Sequence, residues 1–192
     1  MMEEYEIIAS WIKPNSRVLD LGCGNGELLD YLTRTKQVKG YGLEISGECI
    51  DSCISKGVSV IEQNFDKGLD NFSDASFDMV LLASTLQATA RPDILVKEML
   101  RIGSQAIVTF PNFSHWSHRL HLLFRGKMPV SDFIPYQWYD TPNIHHCTIK
   151  DFNNLCNTEG ITIVDRKVEG LGSMVSMSAN LWGHQAMYLI RK

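Results

Sequence analysis

Asp20, Glu27 and Glu44, set around Gly22, Gly24 and Gly26, are the residues whose types and spacing point to chemistry. Glycines at alternate positions let a backbone approach a ligand with no Cβ in the way. The run Arg17-Val18-Leu19-Asp20-Leu21 before them reads as a buried strand, and Glu27, Leu28, Leu29, Tyr31 and Leu32 open a helix directly after. Free N–H groups at that helix start, with the turn that carries Cys23 and Asn25, make a cradle for a nucleotide-like ligand. The spacing is not the dinucleotide fingerprint, whose third glycine would fall at Glu27. Two carboxylates beside the turn repel a pyrophosphate and suit an ammonium or a sulfonium, which disfavours an NAD-linked oxidoreductase. Glu44 closes the next strand-like run, Val38 to Leu43, 24 residues beyond Asp20 and just before Ile45. An acid in that place can accept hydrogen bonds from both hydroxyls of a ribose.

These motifs resemble the first two of the class I S-adenosylmethionine-dependent methyltransferases, and the resemblance implies further contacts. Asn64 and Phe65 follow a third strand-like run, Val58 to Ile61, where such a chain passes the adenine. A side-chain acceptor there binds the exocyclic amine while an apolar neighbour packs on the ring. Asp is the usual residue at the position of Asn64, so either Asn64 or Asp66 can take this role, or both shape a turn. Ser84 and Gln87 lie at the carboxyl end of the apolar run Phe77 to Ala83, where open α/β sheets place ligands. Gln87 is available to the sulfonium or amino-acid end of the ligand, or is a satisfied loop amide. The expected cofactor is S-adenosyl-L-methionine, with S-adenosyl-L-homocysteine as its product.

The elements that must position these residues are legible from periodicity. Tyr5, Ile8, Ala9 and Ile12 fall on one face of a helix stopped by Pro14, a cover for the sheet. Ser46 caps a helix burying Ile50, Cys53 and Ile54, and Pro92 starts another that carries Leu95, Met99 and Leu100 as far as Gly103. Ala106 to Phe110 make a fifth strand, and Ile161 to Val164 and Gln185 to Ile190 close the domain. Strands alternating with helices at this spacing predict an α/β fold around a doubly wound, mostly parallel sheet. The 192 residues are read as one domain, with a lid or docking segment at about 113–147.

That segment is the distinctive part. Trp116, Leu120, Leu123 and Phe124 sit at helical spacing with His115, His118, Arg119, His121 and Arg125 between them, which predicts an amphipathic helix whose basic face is solvated or, as the alternative, an anion site. Met128 to Cys147 holds Pro129, Pro135 and Pro142 and the aromatics Phe133, Tyr136, Trp138 and Tyr139. Long irregular stretches inside a compact domain are usually functional. His145-His146-Cys147 is not read as a metal site, because adjacent residues seldom share one ion. Cys49 and Cys53, one helical turn apart, are read as buried thiols. Thr148 to Asp151 has the form of a capping box, and Glu169 to Gly183 reads as a mobile loop.

Phe110-Pro111-Asn112-Phe113, Arg125-Gly126-Lys127-Met128-Pro129 and the long run Pro135 to His145 resemble the MetW family of methionine biosynthesis proteins. Ser16 to Gly24 and Gly40 to Ile45 agree with it, and the resemblance reaches to about Val168. It implies a Rossmann-like, seven-stranded sheet with the last strand antiparallel. It also implies a place beside homoserine O-acyltransferase, the expected partner.

Two functions of different class follow. One is a regulatory subunit that binds S-adenosylmethionine and acts with the acyltransferase. The other is a methyltransferase acting on a small molecule, for which His115, Tyr139 and His145 are candidate bases. The Asn-Pro-Pro-Tyr type of motif is absent after the fourth strand, which reads Leu82-Ala83-Ser84-Thr85 and counts against a base-methylating enzyme. A net charge of −4 and a pI near 5.8 give nucleic acid no electrostatic support. The longest apolar run, Met79 to Ala83, is too short to span a bilayer. An acidic start and five cysteines, an odd number, fit a reduced, cytoplasmic setting.

Overall fold

Alternation along the strands sorts side chains onto two faces of one sheet. In the computed structural model, which describes residues 2–170, 173–175 and 177–192, Val18, Met79, Leu81, Ile107 and Leu189 pack on one face. Leu19, Leu21, Val80, Leu82, Val108, Phe110 and Tyr188 pack on the other. Each face needs its own helical cover, which is what makes the sheet doubly wound.

The elements run α1 (Met2–Trp11), β1 (Arg17–Leu21), α2 (Glu27–Lys36), β2 (Lys39–Glu44), α3 (Gly47–Ser55) and β3 (Ser59–Glu62), then β4 (Phe77–Leu82), α4 (Pro92–Ile102) and β5 (Gly103–Pro111). They continue with α5 (Trp116–Arg125), α6 (Ile149–Thr158), β6 (Thr162–Gly170), β7 (Ser173–Met174), α7 (Ala179–Trp182) and β8 (Gln185–Arg191). Strand order is β3-β2-β1-β4-β5-β8-β6-β7. The first five strands are mutually parallel, and β8 inserts antiparallel between β5 and β6. This is the expected seven-stranded class I methyltransferase sheet, with a two-residue strand added at its edge. Residues of α1, α2 and α3 cover one face, and residues of α4 and α6 the other.

Three local expectations change. Strand β6 runs on through Asp165, Arg166 and Lys167 to Gly170, because β8 pairs with it from Thr162 to Glu169 across a bulge at Val164. The interval read as a mobile loop holds the end of β6, then β7 and α7, although Leu171, Gly172 and Ser176 fall outside the described residues. Helix α5 forms where expected, yet only His118 of it is buried, while Leu123 and Phe124 are 73% and 78% exposed. Trp116 at its start packs on Trp182, but Leu123 and Phe124 find no cover from the described residues. The capping box at Thr148 and Asp151 is present in full.

Candidate functional site

The parallel strands β1 and β4 end side by side, and the chain turns sharply after each. Gly22, Gly24 and Gly26 all have φ between +53° and +75°, a left-handed backbone open to glycine at little cost. The turn is held from several directions. Gly22 and Cys23 N–H donate to the Leu43 carbonyl at 2.9 and 3.1 Å, and the Cys53 thiol donates to the Gly24 carbonyl at 3.2 Å. Burial pushes the Cys53 and Cys23 thiols up, so they pack in protonated form 3.9 Å apart. Cys53 is buried as expected, against Cys23, whereas Cys49 is only half-buried. A Cβ at Gly42 would overlap the Cys23 sulfur. Gly42→Ala is therefore expected to destabilise the fold by ~1–3 kcal/mol in denaturant unfolding, by forcing the glycine turn off its strand.

Behind the turn lies a cavity of about 270 Å³. Asp20, Gly22, Cys23, Gly24, Asn25 and Ser84 line it, six of the residues singled out from the sequence, and Glu27 joins them. Asp20 is 2% exposed, and among the described residues its Oδ1 has no hydrogen-bond partner and no basic residue lines the cavity. Burial, with the Glu44 charge adding to it, raises the Asp20 carboxyl to about 7. The cavity presents the partly protonated Asp20 carboxyl and the carboxylates of Glu4 and Glu27 to whatever enters. Such a lining favours a ligand cation and disfavours a phosphate.

Glu44 is otherwise engaged than expected. Its Oε2 accepts from Gly24 N–H at 2.9 Å, and its Oε1 from Ile45 and Ser46 N–H at 2.8 and 3.0 Å. Three of roughly four acceptor sites on the carboxylate are used, which leaves room for one ribose hydroxyl rather than two. Ile45 is 63% exposed beside it. The Asn64 side chain accepts from Asp66 N–H at 2.9 Å and caps a short 3-10 turn at Phe65–Lys67, while Asp66 accepts from Ala90 N–H at 3.1 Å. Asn64 shapes this turn, and Asp66 ties it to the chain at Ala90. Phe65 approaches within 3.5 Å of where a Gly22 Cβ would stand.

Ser84 holds φ +51°, uncommon for a residue with a Cβ. Its N–H donates to Thr109 Oγ1 at 2.9 Å, and Gln185 Nε2 donates to its Oγ at 3.1 Å. Gln87 turns away from the Asp20 cavity, donating from Nε2 to the Ser84 carbonyl at 2.7 Å. Its backbone carbonyl accepts from Ile144 and His145 N–H at 2.8 and 3.0 Å, tying the segment after α5 to the end of β4.

The three candidate bases lie elsewhere. His115 is buried against Ser117, His118 and His184. Tyr139 is 70% exposed and meets the edge of Trp138, and the His145 ring meets the Ala90 carbonyl. None of them lines the Asp20 cavity. The helix α1 forms where expected, but its part in the site was not foreseen. Glu4 and Tyr5 line the cavity, and Glu4 Oε1 accepts from Thr109 Oγ1 at 2.9 Å. No motif marks them, because the fold alone brings an N-terminal helix over this end of the sheet. Among the described residues no group of three His, Cys, Asp or Glu side chains could hold a metal ion, and no helix is long and apolar enough to cross a membrane.

The family model described as methionine biosynthesis protein MetW matches residues 2–190. A curated relative from Rhodopirellula baltica, the bifunctional methionine biosynthesis protein MetXA/MetW, is 35% identical over 172 residues. That match takes in 85% of this chain and 27% of the relative, so the chain spans about a quarter of its length. Among solved structures, an S-adenosylmethionine-dependent methyltransferase from Mesorhizobium loti superposes with a TM-score of 0.73 at 15% identity, covering 100% of this chain and 98% of that one. The [4+2]-cyclase SpnF superposes with a TM-score of 0.70 at 18% identity, covering 99% and 80%. One architecture thus carries both methyl transfer and ring closure, so the fold does not name a reaction.

Proposed function

The chain belongs to the MetW family of methionine biosynthesis proteins, and from that premise we propose that it binds S-adenosylmethionine in the Asp20 cavity and acts with a homoserine O-acyltransferase as its regulatory subunit. One observation carries the ligand: a buried carboxyl whose Oδ1 has no partner, in a cavity lined by no basic residue, both among the described residues. The ligand's ammonium and sulfonium supply the positive charge that Asp20, Glu4 and Glu27 lack. When bound, the cofactor offers a methyl group on a cationic sulfur. Asp20 would hold its amino-acid end, Gly22 to Gly26 would admit its backbone-side edge, Glu44 would take a ribose hydroxyl, and Phe65 would meet the base. The relative that joins MetXA and MetW in one chain supports the partner. The segment 113–147 is proposed as the docking surface, since its aromatics Trp138 and Tyr139 stand outside the core.

Co-purification with the acyltransferase, assayed for acyl transfer with and without S-adenosylmethionine, tests the reading. Stimulation that responds to the ligand is expected, and an acyltransferase indifferent to this chain would overturn it. The ligand half has its own test by calorimetry. Gly24 sits in left-handed backbone with open space where a Cβ would go, so Gly24→Val should fold with some strain and fill the ligand's approach. Glu44→Ala removes an acceptor worth roughly 1.5–3 kcal/mol, or about 10- to 150-fold in affinity, and also frees the Gly24 N–H it holds. Both folded variants binding like the parent would sink the site.

A further inference from the structure

Helix α5 is turned so that its apolar stripe faces outward. At about 3.6 residues per turn, Leu120, Leu123 and Phe124 share one side of the helix, and His118 and His121 lie on the other. The histidine side is the inner one: His118 is buried, while Leu120, Leu123 and Phe124 are all exposed. Two bonds fix that orientation. The neutral His118 ring donates from Nδ1 to the Phe113 carbonyl at 3.2 Å, and its Nε2 accepts from the Ser131 hydroxyl at 3.1 Å. Rolling the stripe inward would break both, so the exposed face is built in. Met128 and Val130, exposed just beyond Gly126, add to the apolar surface. We propose that this outward stripe is where the acyltransferase docks, and that the surface it meets there is an apolar recess edged by carboxylates. The inference rests on the reading that the chain acts with that enzyme, and it adds which face docks and the chemistry of the partner's face.

Charge argues for the carboxylates. From Met99 to Ser131 the sequence holds no acidic residue, although the chain carries −4 overall. Arg119 borders the stripe, and Arg125 and Lys127 follow it. All three are exposed, and among the described residues none belongs to an ion pair. A partner that covers the two leucines and the phenylalanine comes within reach of these cations, and carboxylates at its rim complement them. A second copy of this chain fits poorly, because pairing two stripes would set the cations of both copies against each other. An anionic lipid surface would answer the charge as well. It has little to hold, however, since three side chains over little more than one turn bury a small apolar area and the chain as a whole is negative. A recess in a protein encloses such side chains from several sides and excludes water from them. Methionine, arginine and aromatic residues are also the types enriched where two proteins meet.

The test measures association and dissociation rates of the full chain with purified homoserine O-acyltransferase. Leu123→Gln combined with Phe124→Gln keeps good helix formers in α5 and is expected to weaken the complex about thirtyfold or more, chiefly through faster dissociation. Arg125→Glu combined with Lys127→Glu should slow association about tenfold and flatten its dependence on salt. Arg119 is left in place, because it donates to the Ser114 and Asn180 carbonyls. All four substituted side chains are exposed, so neither pair should lower thermal stability. A parent chain that fails to bind the enzyme overturns the functional reading, and this inference with it. A parent that binds, with a Leu123/Phe124 variant that binds equally well, overturns this inference alone. So would association made faster by the Arg125/Lys127 variant. Parent dimers that the Leu123/Phe124 variant cannot form, or capture on phosphatidylglycerol vesicles that this variant loses, would assign the stripe to another occupant and overturn it too.

Discussion

Asp20→Asn is expected to make the ligand-free protein more stable above neutral pH and to weaken S-adenosylmethionine binding at the same time. The Asp20 carboxyl is raised from 3.8 to about 7, chiefly by burial and then by Glu44. Between those values the folded state holds a proton that the unfolded chain has released. Stability therefore falls as pH rises from about 4 to about 7, and above 7 the full cost of the buried charge is present, ~4 kcal/mol at most. An amide carries no charge, so the variant should gain ~2 kcal/mol at pH 8, gain nothing at pH 4, and lose the pH slope between. The same substitution removes the group proposed to meet the ligand's ammonium, and affinity should drop about tenfold or more. Denaturant unfolding at pH 4, 6 and 8 with calorimetry at pH 8 measures both. A variant less stable than the parent at pH 8, with unchanged affinity, would refute this account of the site. Stability given up at a ligand site is a common trade.

Trp138→Ala is expected to cost ~2 kcal/mol or more of affinity for the acyltransferase, as truncation of a buried aromatic anchor does, while leaving S-adenosylmethionine affinity nearly unchanged. Trp138 is 73% exposed, so its loss should not lower thermal stability. It stands edge-on to Tyr139 at 5.6 Å, with Tyr136 43% exposed in the same segment. The backbone link from Ile144 and His145 to Gln87 ties this segment to the ligand end of the sheet. If ligand and partner favour different arrangements of it, each must change the other's affinity by the same factor. Loss of ligand binding with intact complex formation would make the segment a lid instead. A stable variant that binds and activates the acyltransferase normally would rule out Trp138 as the anchor.

Consecutive residues determined what needed no distant partner. The strand, glycine turn and helix from Arg17 to Lys36 are local, and their order puts Asp20 and the turn at one sheet end without further information. Alternating apolar residues in β1 and β4 likewise announced a sheet covered on both faces. Only the tertiary structure decided the rest, since those features are contacts between distant segments. Glu4 reaches Gln185 across most of the chain's length, because α1 and β8 both begin against the end of β5. The charged stretch Asp165 to Lys167 is strand because β8 offers it a ladder, not because of its own pattern. Glu44 is taken up by the Gly24 N–H, a bond that depends on how β1 and β2 are set side by side. In α5 the periodicity was read correctly and the burial was not: an apolar stripe predicts a covered face, but only the packing of the whole chain shows whether a cover is there.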